Sequence, residues 1–244
     1  MTVATCLAII PAFNEARTVA DVIRAIREDV TGVDVDIVVI DDGSHDATAG
    51  IAARAGATVL RLPFNLGIGG AVQTGYKYAW DNGYAVAVQV DADGQHPPRE
   101  LPKLLAPLLA GTADMVVGTR FRSEDGFKSS RVRRVGIAMF ARLVSLIIRE
   151  RVTDTTSGFR AVNRKGIALF QSDYPQDYPE VETQALAHRH GLRLAEVPVV
   201  MAERQGGASS IRGWGSFHYV VKVTLALLIG VFRAPRPLPE EVGD

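Results

Sequence analysis

The first half of the chain alternates short, unbroken apolar runs with longer amphipathic stretches. The runs are rich in β-branched residues and lack polar alternation, which is typical of parallel strands covered on both faces. The amphipathic stretches between them predict helices. The predicted strands are Cys6–Ile10, Asp36–Ile40, Thr58–Arg61, Ala85–Val90 and Met115–Gly118. The predicted helices are Val19–Glu28, Ala47–Ala55, Gly70–Trp80 and Leu101–Leu109.

This alternation of strand and helix predicts an α/β fold of the Rossmann-like, doubly wound kind, with a mostly parallel sheet flanked by helices. The second half, from about Arg120, has basic loops, two apolar helices and an ambiguous strand at Leu194–Val200. We expect one α/β domain over residues 1–212, an apolar helix over 213–233 and a mobile Pro-rich tail over 234–244.

Two apolar stretches raise the question of a membrane. Val135–Ile148 is interrupted by Arg142, and Tyr219–Phe232 is interrupted by Lys222. Each has 14 residues, whereas a helix needs about 20 to span a bilayer. We therefore expect neither to span. A buried helix and a helix lying in the membrane interface both remain open for each stretch. The N-terminal apolar run lacks signal-peptide features and is interpreted as the first strand.

Composition excludes several classes of protein. The 244 residues include 27 basic and 27 acidic side chains, so the net charge is zero, which argues against a general nucleic-acid binder. With 47% hydrophobic residues the chain is not a disordered acidic protein. Its single cysteine, Cys6, excludes an intramolecular disulfide and a cysteine-cluster metal site, and it suggests a reducing compartment.

Polar residues follow three of the predicted strands. They are Pro11–Glu15 after the first strand, Asp41–Ser44 after the second and Asp91–His96 after the fourth. Open α/β sheets bind ligands at the carboxyl ends of their strands. We therefore expect these three clusters to form one cleft.

The third cluster has the pattern of a metal site. Asp91, Asp93 and Gln95 are spaced by two residues, which in extended chain places their side chains on one side. Hard oxygen ligands of this kind suit Mg²⁺ or Mn²⁺, which keep waters and accept phosphate oxygens from a substrate. A simple turn is the alternative, because Asp and Gly are common in turns.

A Gly-rich stretch follows the third predicted strand, at Asn65–Val72. It lacks the final glycine of a dinucleotide fingerprint, since Val72 stands there, and it has no lysine for a P-loop. A dinucleotide oxidoreductase is therefore disfavoured. We expect these glycines to allow close approach of the backbone to a ligand or to a neighbouring element.

The motifs in this order resemble those of the family 2 glycosyltransferases, which have the GT-A fold. The similarity is greatest to the branch that makes polyprenyl-phosphate sugars, such as the dolichol-phosphate mannose synthases. The matching stretches lie between Ile9 and Ser210, more than four-fifths of the chain, and are IIPAFNE, VVIDDGSHDAT, NLGIGGAVQTGY, VQVDADGQHPP, VVGTRF, DTTSGFRAVNR and ERQGGASS.

The resemblance implies roles for individual residues. A nucleotide-sugar donor and a divalent metal would be held in the predicted cleft, and arginines would reach the phosphates. The residues implied for the nucleoside are Pro11, Phe13, Glu15, Ile40 and Asp42, with Ala92 also against the nucleotide; those for the metal are Asp91, Asp93 and Gln95; those for the phosphates are Arg120 and Arg204.

A basic segment lies beside these motifs. Residues 117–166 contain twelve Lys or Arg against four acidic residues, a net charge of +8, so the rest of the neutral chain carries −8. Within it, Arg131, Arg133 and Arg134 precede the apolar stretch Val135–Ile148, an arrangement suited to a lipid phosphate. A solvated basic face is the alternative. A phosphate acceptor is largely ionised near neutral pH and needs positioning more than a base.

We therefore expect a metal-dependent inverting glycosyltransferase that moves a hexosyl or N-acetylhexosaminyl group from a GDP- or UDP-sugar to polyprenyl phosphate. It would act on the cytoplasmic side, at the inner face of the cell membrane, docking on lipid or on a separate small membrane-anchored protein. The first alternative is transfer to a sugar hydroxyl of a growing polysaccharide. For this reaction Asp177, Glu180 and Glu182, in QDYPEVE, are the candidate bases, and Glu182 is the one retained. The second is a non-catalytic subunit that binds nucleotide-sugar.

Overall fold

The computed structural model describes residues 6–119, 157–176 and 179–202, together with the helical residues Arg142 and Ser145. Most of these residues belong to one seven-stranded sheet and the helices around it. The strands are β1 (Cys6–Ala12), β2 (Val35–Asp41), β3 (Thr58–Arg61), β4 (Val86–Gln89), β5 (Met115–Thr119), β6 (Arg160–Asn163) and β7 (Leu194–Pro198). The helices are α1 (Val19–Asp29), α2 (Thr48–Arg54), α3 (Gly67–Asp81), α4 (Leu101–Leu109), α5 (Arg164–Ser172) and α6 (Pro179–Arg189).

The strand order is β3-β2-β1-β4-β6-β5-β7. Within this sheet β6 alone is antiparallel to its neighbours, β4 and β5, and the other pairings are parallel. The prediction of a doubly wound, mostly parallel α/β sheet is therefore confirmed. Because β1 is parallel to both β2 and β4, these three strands end at the same edge of the sheet.

Burial on both faces explains the unbroken apolar runs. Every residue of β1 is buried. Ala8 and Ile10 pack into the core on one face of the sheet, and Leu7 and Ile9 pack into the core on the other. α3 lies close to β1 because Gly75 faces Ile9: a Cβ atom at Gly75 would clash with Cγ2 of Ile9.

The predicted elements of the first half are all present, with ends within about three residues of those expected. In the second half, β6 begins at Arg160, the last residue of the DTTSGFR motif, and the ambiguous strand is β7. Helices α5 and α6 were not predicted. Capping signals mark both: the Asn163 side chain accepts hydrogen bonds from the N–H groups of Lys165 and Gly166, and α6 begins with Pro and carries acidic residues in its first turn.

The predicted helix Val135–Ile148 falls outside the described residues except for Arg142 and Ser145, which are helical. The predicted helix Tyr219–Phe232 and the tail over 234–244 also fall outside them. In the described parts of the chain, no helix combines the length and apolar character needed to cross a membrane.

Candidate active site

A cleft of about 350 Å³ opens where β1, β2 and β4 end. It is bounded by the loops after these strands, by the start of α3 and by the start of α6. The structure thus brings the three polar clusters together, as expected. The lining residues are Pro11, Ala12, Phe13, Glu15, Asp42, Asn65, Gly67, Ile68, Ala71, Asp91, Ala92, Asp93 and Glu180.

The loops after β1 and β2 are tied to each other by hydrogen bonds. The N–H of Asn14 donates to Oγ of Ser44, and the Asn14 side chain accepts from the N–H of His45, both at 2.9 Å. The N–H of Glu15 donates to Oγ1 of Thr48, also at 2.9 Å. Asn14 has a positive φ of 56°, which Asn tolerates better than most residues. These bonds fix the wall that carries Phe13 and Glu15.

Asp42 joins this wall to the start of α3. One carboxylate oxygen accepts from the N–H of Leu66 at 2.7 Å, and the other accepts from the N–H of Gly67 at 2.9 Å. Burial raises the pKa of the Asp42 carboxyl, although the two N–H bonds act in the opposite direction. Asp42 therefore holds a helix N-terminus in place as well as lining the cleft, a task that the sequence pattern did not reveal.

Two glycines permit close approach of neighbouring segments at this site. Gly43 has a φ of +73°, and a Cβ there would lie 2.9 Å from the backbone N of Asn65. A Cβ at Gly69 would lie 2.5 Å from Cα of Gln176 and 2.6 Å from the carbonyl O of Pro175. The expectation that glycines of the Asn65–Val72 stretch serve close approach is confirmed for Gly69, which brings α3 against the segment leading to α6.

Phe13 projects from the cleft wall with 41% of its surface exposed. Its ring meets the ring of His45 edge-on, with centroids 6.2 Å apart. An exposed aromatic ring beside a polar cleft offers a stacking surface for a planar ligand.

The Asp91 carboxylate also lines the cleft, and neighbouring side chains hold it in place. Nε2 of Gln89 donates to Oδ1 of Asp91 at 3.0 Å. The N–H of Asp91 donates to Nδ1 of His96 at 3.1 Å. Asp93, which is 3% exposed, accepts from the N–H of Gln95 through Oδ1 at 2.9 Å.

This arrangement suits a hard divalent cation. Two carboxylates, those of Asp91 and Asp93, reach the same cleft. Within the described ranges, no group of three or more His, Cys, Asp or Glu side chains could hold a metal ion. Mg²⁺ and Mn²⁺ need no such group, because one or two carboxylates plus water and substrate phosphates complete their coordination. The residues present therefore fit the predicted metal.

Glu180, in the first turn of α6, forms part of the cleft wall. Burial raises the pKa of its carboxyl, and the charge of Asp91 acts in the same direction, whereas Arg160 lowers it. Arg160 is 1% exposed; its Nη1 donates to the carbonyl O of Pro179 at 2.7 Å and also to Oγ1 of Thr183. The Arg160 guanidinium thus anchors the first turn of α6, with Glu180 facing the cleft.

The lining of the cleft is strongly acidic. It includes five carboxylates and, among the described residues, no Lys, Arg or His. A diphosphate could bind here only with cations to offset this charge. The predicted metal would supply two positive charges, and the phosphate-binding arginines Arg120 and Arg204 fall outside the described residues. The carboxylates are those of Glu15, Asp42, Asp91, Asp93 and Glu180.

Some predicted site residues lie elsewhere. Ile40 is fully buried in the core rather than in the cleft wall. Gln95 contributes its backbone N–H to Asp93, and its side chain is not part of the lining. Of the candidate bases, Glu182, the one retained, lies in the first turn of α6 but outside the cleft lining. Glu180 forms part of the lining, and Asp177 falls outside the described residues. The predicted acceptor arginines, Arg131, Arg133 and Arg134, fall outside the described residues.

Comparison with known proteins agrees with the resemblance of the motifs and with the fold. The model of the family "Glycosyl transferase family 2" matches residues 7–170. The chain belongs to glycosyltransferase family 2. This glycosyltransferase is 31% identical over 227 residues to the undecaprenyl-phosphate mannosyltransferase of Micrococcus luteus, covering 89% of this chain and 92% of the relative.

A second relative transfers a different sugar. The UDP-N-acetylglucosamine–dolichyl-phosphate N-acetylglucosaminyltransferase of Methanococcus voltae is 29% identical over 211 residues, covering 78% of this chain and 83% of the relative. Among solved structures, the glucosyl-3-phosphoglycerate synthase of Mycobacterium tuberculosis, in complex with Mn²⁺, UDP-glucose and phosphoglyceric acid, superposes with a TM-score of 0.67. The identity is 24%, covering 93% of this glycosyltransferase and 79% of that chain, and this likeness shows the GT-A fold.

Proposed function

We propose that this glycosyltransferase moves a hexosyl or N-acetylhexosaminyl group, with inversion, from a GDP- or UDP-sugar to polyprenyl phosphate, using Mg²⁺ or Mn²⁺. The observation that carries the donor half is that Asp91 and Asp93 line the same cleft as Phe13 and Asp42. The acceptor half is supported by relatives that are named for transfer to polyprenyl phosphates.

In this proposal the nucleoside lies against the wall formed by Pro11, Phe13, Glu15 and Asp42. Phe13 offers its ring face to the base, and the rigid loops behind it preorganise the wall. Asp91 and Asp93 are the residues that would hold the metal. When bound, the metal supplies electrostatic stabilisation for the charge that develops on the leaving nucleotide.

With a phosphate as acceptor, the reaction needs no strong base in the cleft. A phosphate monoester has its second pKa near about 6, so its oxygens are largely ionised at neutral pH. The attacking group then requires positioning and screening of its charge. The net charge of +8 on residues 117–166 suits this task, with Arg131, Arg133 and Arg134 as the proposed contacts to the lipid phosphate.

The acceptor also sets the place of action. A polyprenyl tail resides in a bilayer, so its phosphate lies at the membrane surface. We place the glycosyltransferase peripherally at the inner, cytoplasmic face of the cell membrane. The apolar residues 213–233 would dock there, on lipid or on a separate small membrane-anchored protein, and residues 234–244 would follow as a mobile tail.

Transfer to a sugar hydroxyl is the second candidate, and Glu180 is the observation that favours it. A carboxylate in the cleft wall with a pKa raised by burial is suited to accept a proton from a hydroxyl group. The two candidates differ in their dependence on this side chain, which makes them separable by substitution.

The metal-binding carboxylates provide the first prediction. Asp93→Ala removes one of the two charged ligands, so we expect metal-dependent transfer to fall by about 100-fold or more while the fold is kept. The measurement is transfer of radiolabelled sugar with Mg²⁺ or Mn²⁺, alongside circular dichroism. Asp34→Ala, at an exposed position before β2, is the matched control and should leave the rate unchanged. Transfer at the normal rate by the folded Asp93→Ala protein would contradict the proposal.

A further inference from the structure

His96 lies directly behind the Asp91 carboxylate and is almost completely buried, with 3% of its surface exposed. It follows Asp91 by five residues, in the turn after β4. Its ring stacks on the ring of Phe159, with centroids 4.7 Å apart and an angle of 11° between the planes. Phe159 immediately precedes β6, so the stack joins the turn that carries the metal motif to the antiparallel strand.

Both ring nitrogens of His96 face Asp91. Nδ1 accepts a hydrogen bond from the backbone N–H of Asp91 at 3.1 Å. A nitrogen that accepts carries no proton, so in the neutral ring the proton resides on Nε2. Nε2 lies 3.7 Å from Oδ2 of Asp91. One imidazole therefore contacts the main chain of Asp91 and directs an N–H group towards its carboxylate.

The other carboxylate oxygen is held from the opposite side by Gln89, whose Nε2 donates to Oδ1 at 3.0 Å. Gly158 lies beside the group: a Cβ atom there would be in ordinary contact with Oδ2 of Asp91 and with Cε1 of His96, each at 3.4 Å. The carboxylate is thus held through Oδ1 by Gln89, with the His96 ring beside Oδ2. Packing alone does not require histidine at position 96, because a phenyl ring would stack on Phe159 equally well.

We propose that His96 is a positioning residue that fixes the main chain and carboxylate of Asp91 for metal binding. This inference rests on the proposed metal-dependent function and assigns a residue that the metal motif itself does not include. Side chains that orient a metal ligand typically change metal affinity by about 10- to 100-fold when they are removed. The effect acts through Asp91, so it should appear in metal affinity rather than in the stacking of the nucleoside.

Two substitutions separate the contributions of the ring. His96→Phe keeps the stack on Phe159 and removes both nitrogens. His96→Asn places an oxygen near the position of Nδ1, so it keeps an acceptor for the N–H of Asp91. It loses the N–H donor at Nε2. His190→Gln, at the end of α6 on a histidine outside the cleft lining, is the matched control.

The experiment is titration of the purified proteins with Mn²⁺ in the presence of UDP or GDP, followed by calorimetry or by the Mn²⁺ electron paramagnetic resonance signal. Nucleotide affinity without metal and the melting temperature are measured in parallel. We expect Mn²⁺ affinity to fall about 10- to 100-fold for His96→Phe and by a smaller factor for His96→Asn. Metal-free nucleotide affinity should change less than about twofold, and His190→Gln should match the unmodified protein.

Equal Mn²⁺ affinity in His96→Phe and the unmodified protein would overturn the inference while leaving the metal site itself intact. A parallel loss of metal-free nucleotide affinity would also overturn it, because that result indicates general damage to the cleft. If the unmodified protein bound nucleotide but no Mn²⁺, the proposed metal dependence would fail, and the role of His96 with it.

Discussion

Glu180 and Glu182 show how a single residue's role depends on helix orientation. They are two positions apart in the first turn of α6, so their side chains leave the helix on different sides. Only Glu180 forms part of the cleft wall. Arg160, in β6, donates hydrogen bonds to Pro179 and Thr183 of α6, which lie far from it in sequence. These contacts set which of the two glutamates faces the cleft. The motif QDYPEVE could not reveal this rotation, whereas the positions of Asp91 and Asp93 followed directly from the strand they terminate.

The same pair of residues separates the two acceptor classes. For a phosphate acceptor, Glu180→Gln should retain kcat within about tenfold, because an ionised phosphate needs no base. For a hydroxyl acceptor, loss of a general base should lower kcat by about 100-fold or more. The measurement is kcat at saturating donor with polyprenyl phosphate, and Glu182→Gln is the matched control for a charge change on the same helix turn. A 100-fold loss for Glu180→Gln alone would contradict the phosphate mechanism.

At the scale of elements, the parallel part of the sheet was predictable and the antiparallel insertion was less so. Parallel strands covered on both faces appear as apolar runs, which located β1 to β5. β6 has only four residues and begins with the buried charge of Arg160, so its place between β4 and β5 had no local signature. Its pairing depends on long-range contacts, including those of Asp114.

Asp114 joins three strands at the edge of the sheet opposite the cleft. It lies just before β5 and accepts hydrogen bonds from Arg193, before β7, and from Nδ2 of Asn163, at the end of β6. These bonds, with Arg193 foremost, hold the pKa of the Asp114 carboxyl well below its usual range. A carboxyl with a depressed folded-state pKa stabilises the fold above its unfolded pKa, and this contribution is lost as the pH falls.

We therefore expect Asp114→Asn to lower the free energy of unfolding by about 2 kcal/mol at pH 7, with a difference that shrinks as the pH falls below about 4. The measurement is urea unfolding of both proteins between pH 3 and pH 7. Asp34→Asn, at an exposed site, should show no difference at either end of the range. A difference for Asp114→Asn that is equal at pH 3 and pH 7 would show that the charge of Asp114 is not the stabilising feature.

At the scale of the whole molecule, a neutral chain is divided by charge. The cleft is lined by five carboxylates, and residues 117–166 carry a net charge of +8. An acidic cleft suits a metal-bound donor, and a basic segment suits an anionic acceptor at a membrane surface. This division can be predicted from the sequence, because the net charge of each segment follows directly from its residues. The identity of the sugar depends on the shape of the cleft beyond Asp93, which the motifs do not encode.

The central claim is tested most directly by a screen of radiolabelled donors against a short polyprenyl phosphate. GDP-mannose, UDP-glucose and UDP-N-acetylhexosamines are each incubated with the purified glycosyltransferase, Mn²⁺ or Mg²⁺ and the lipid, and the organic phase is counted after extraction. We predict that one donor transfers its label to the organic phase, that the transfer requires both the metal and the lipid phosphate, and that chelation of the metal stops it. Absence of label in the organic phase with every donor, together with transfer of the sugar to a polysaccharide acceptor, would contradict the claim.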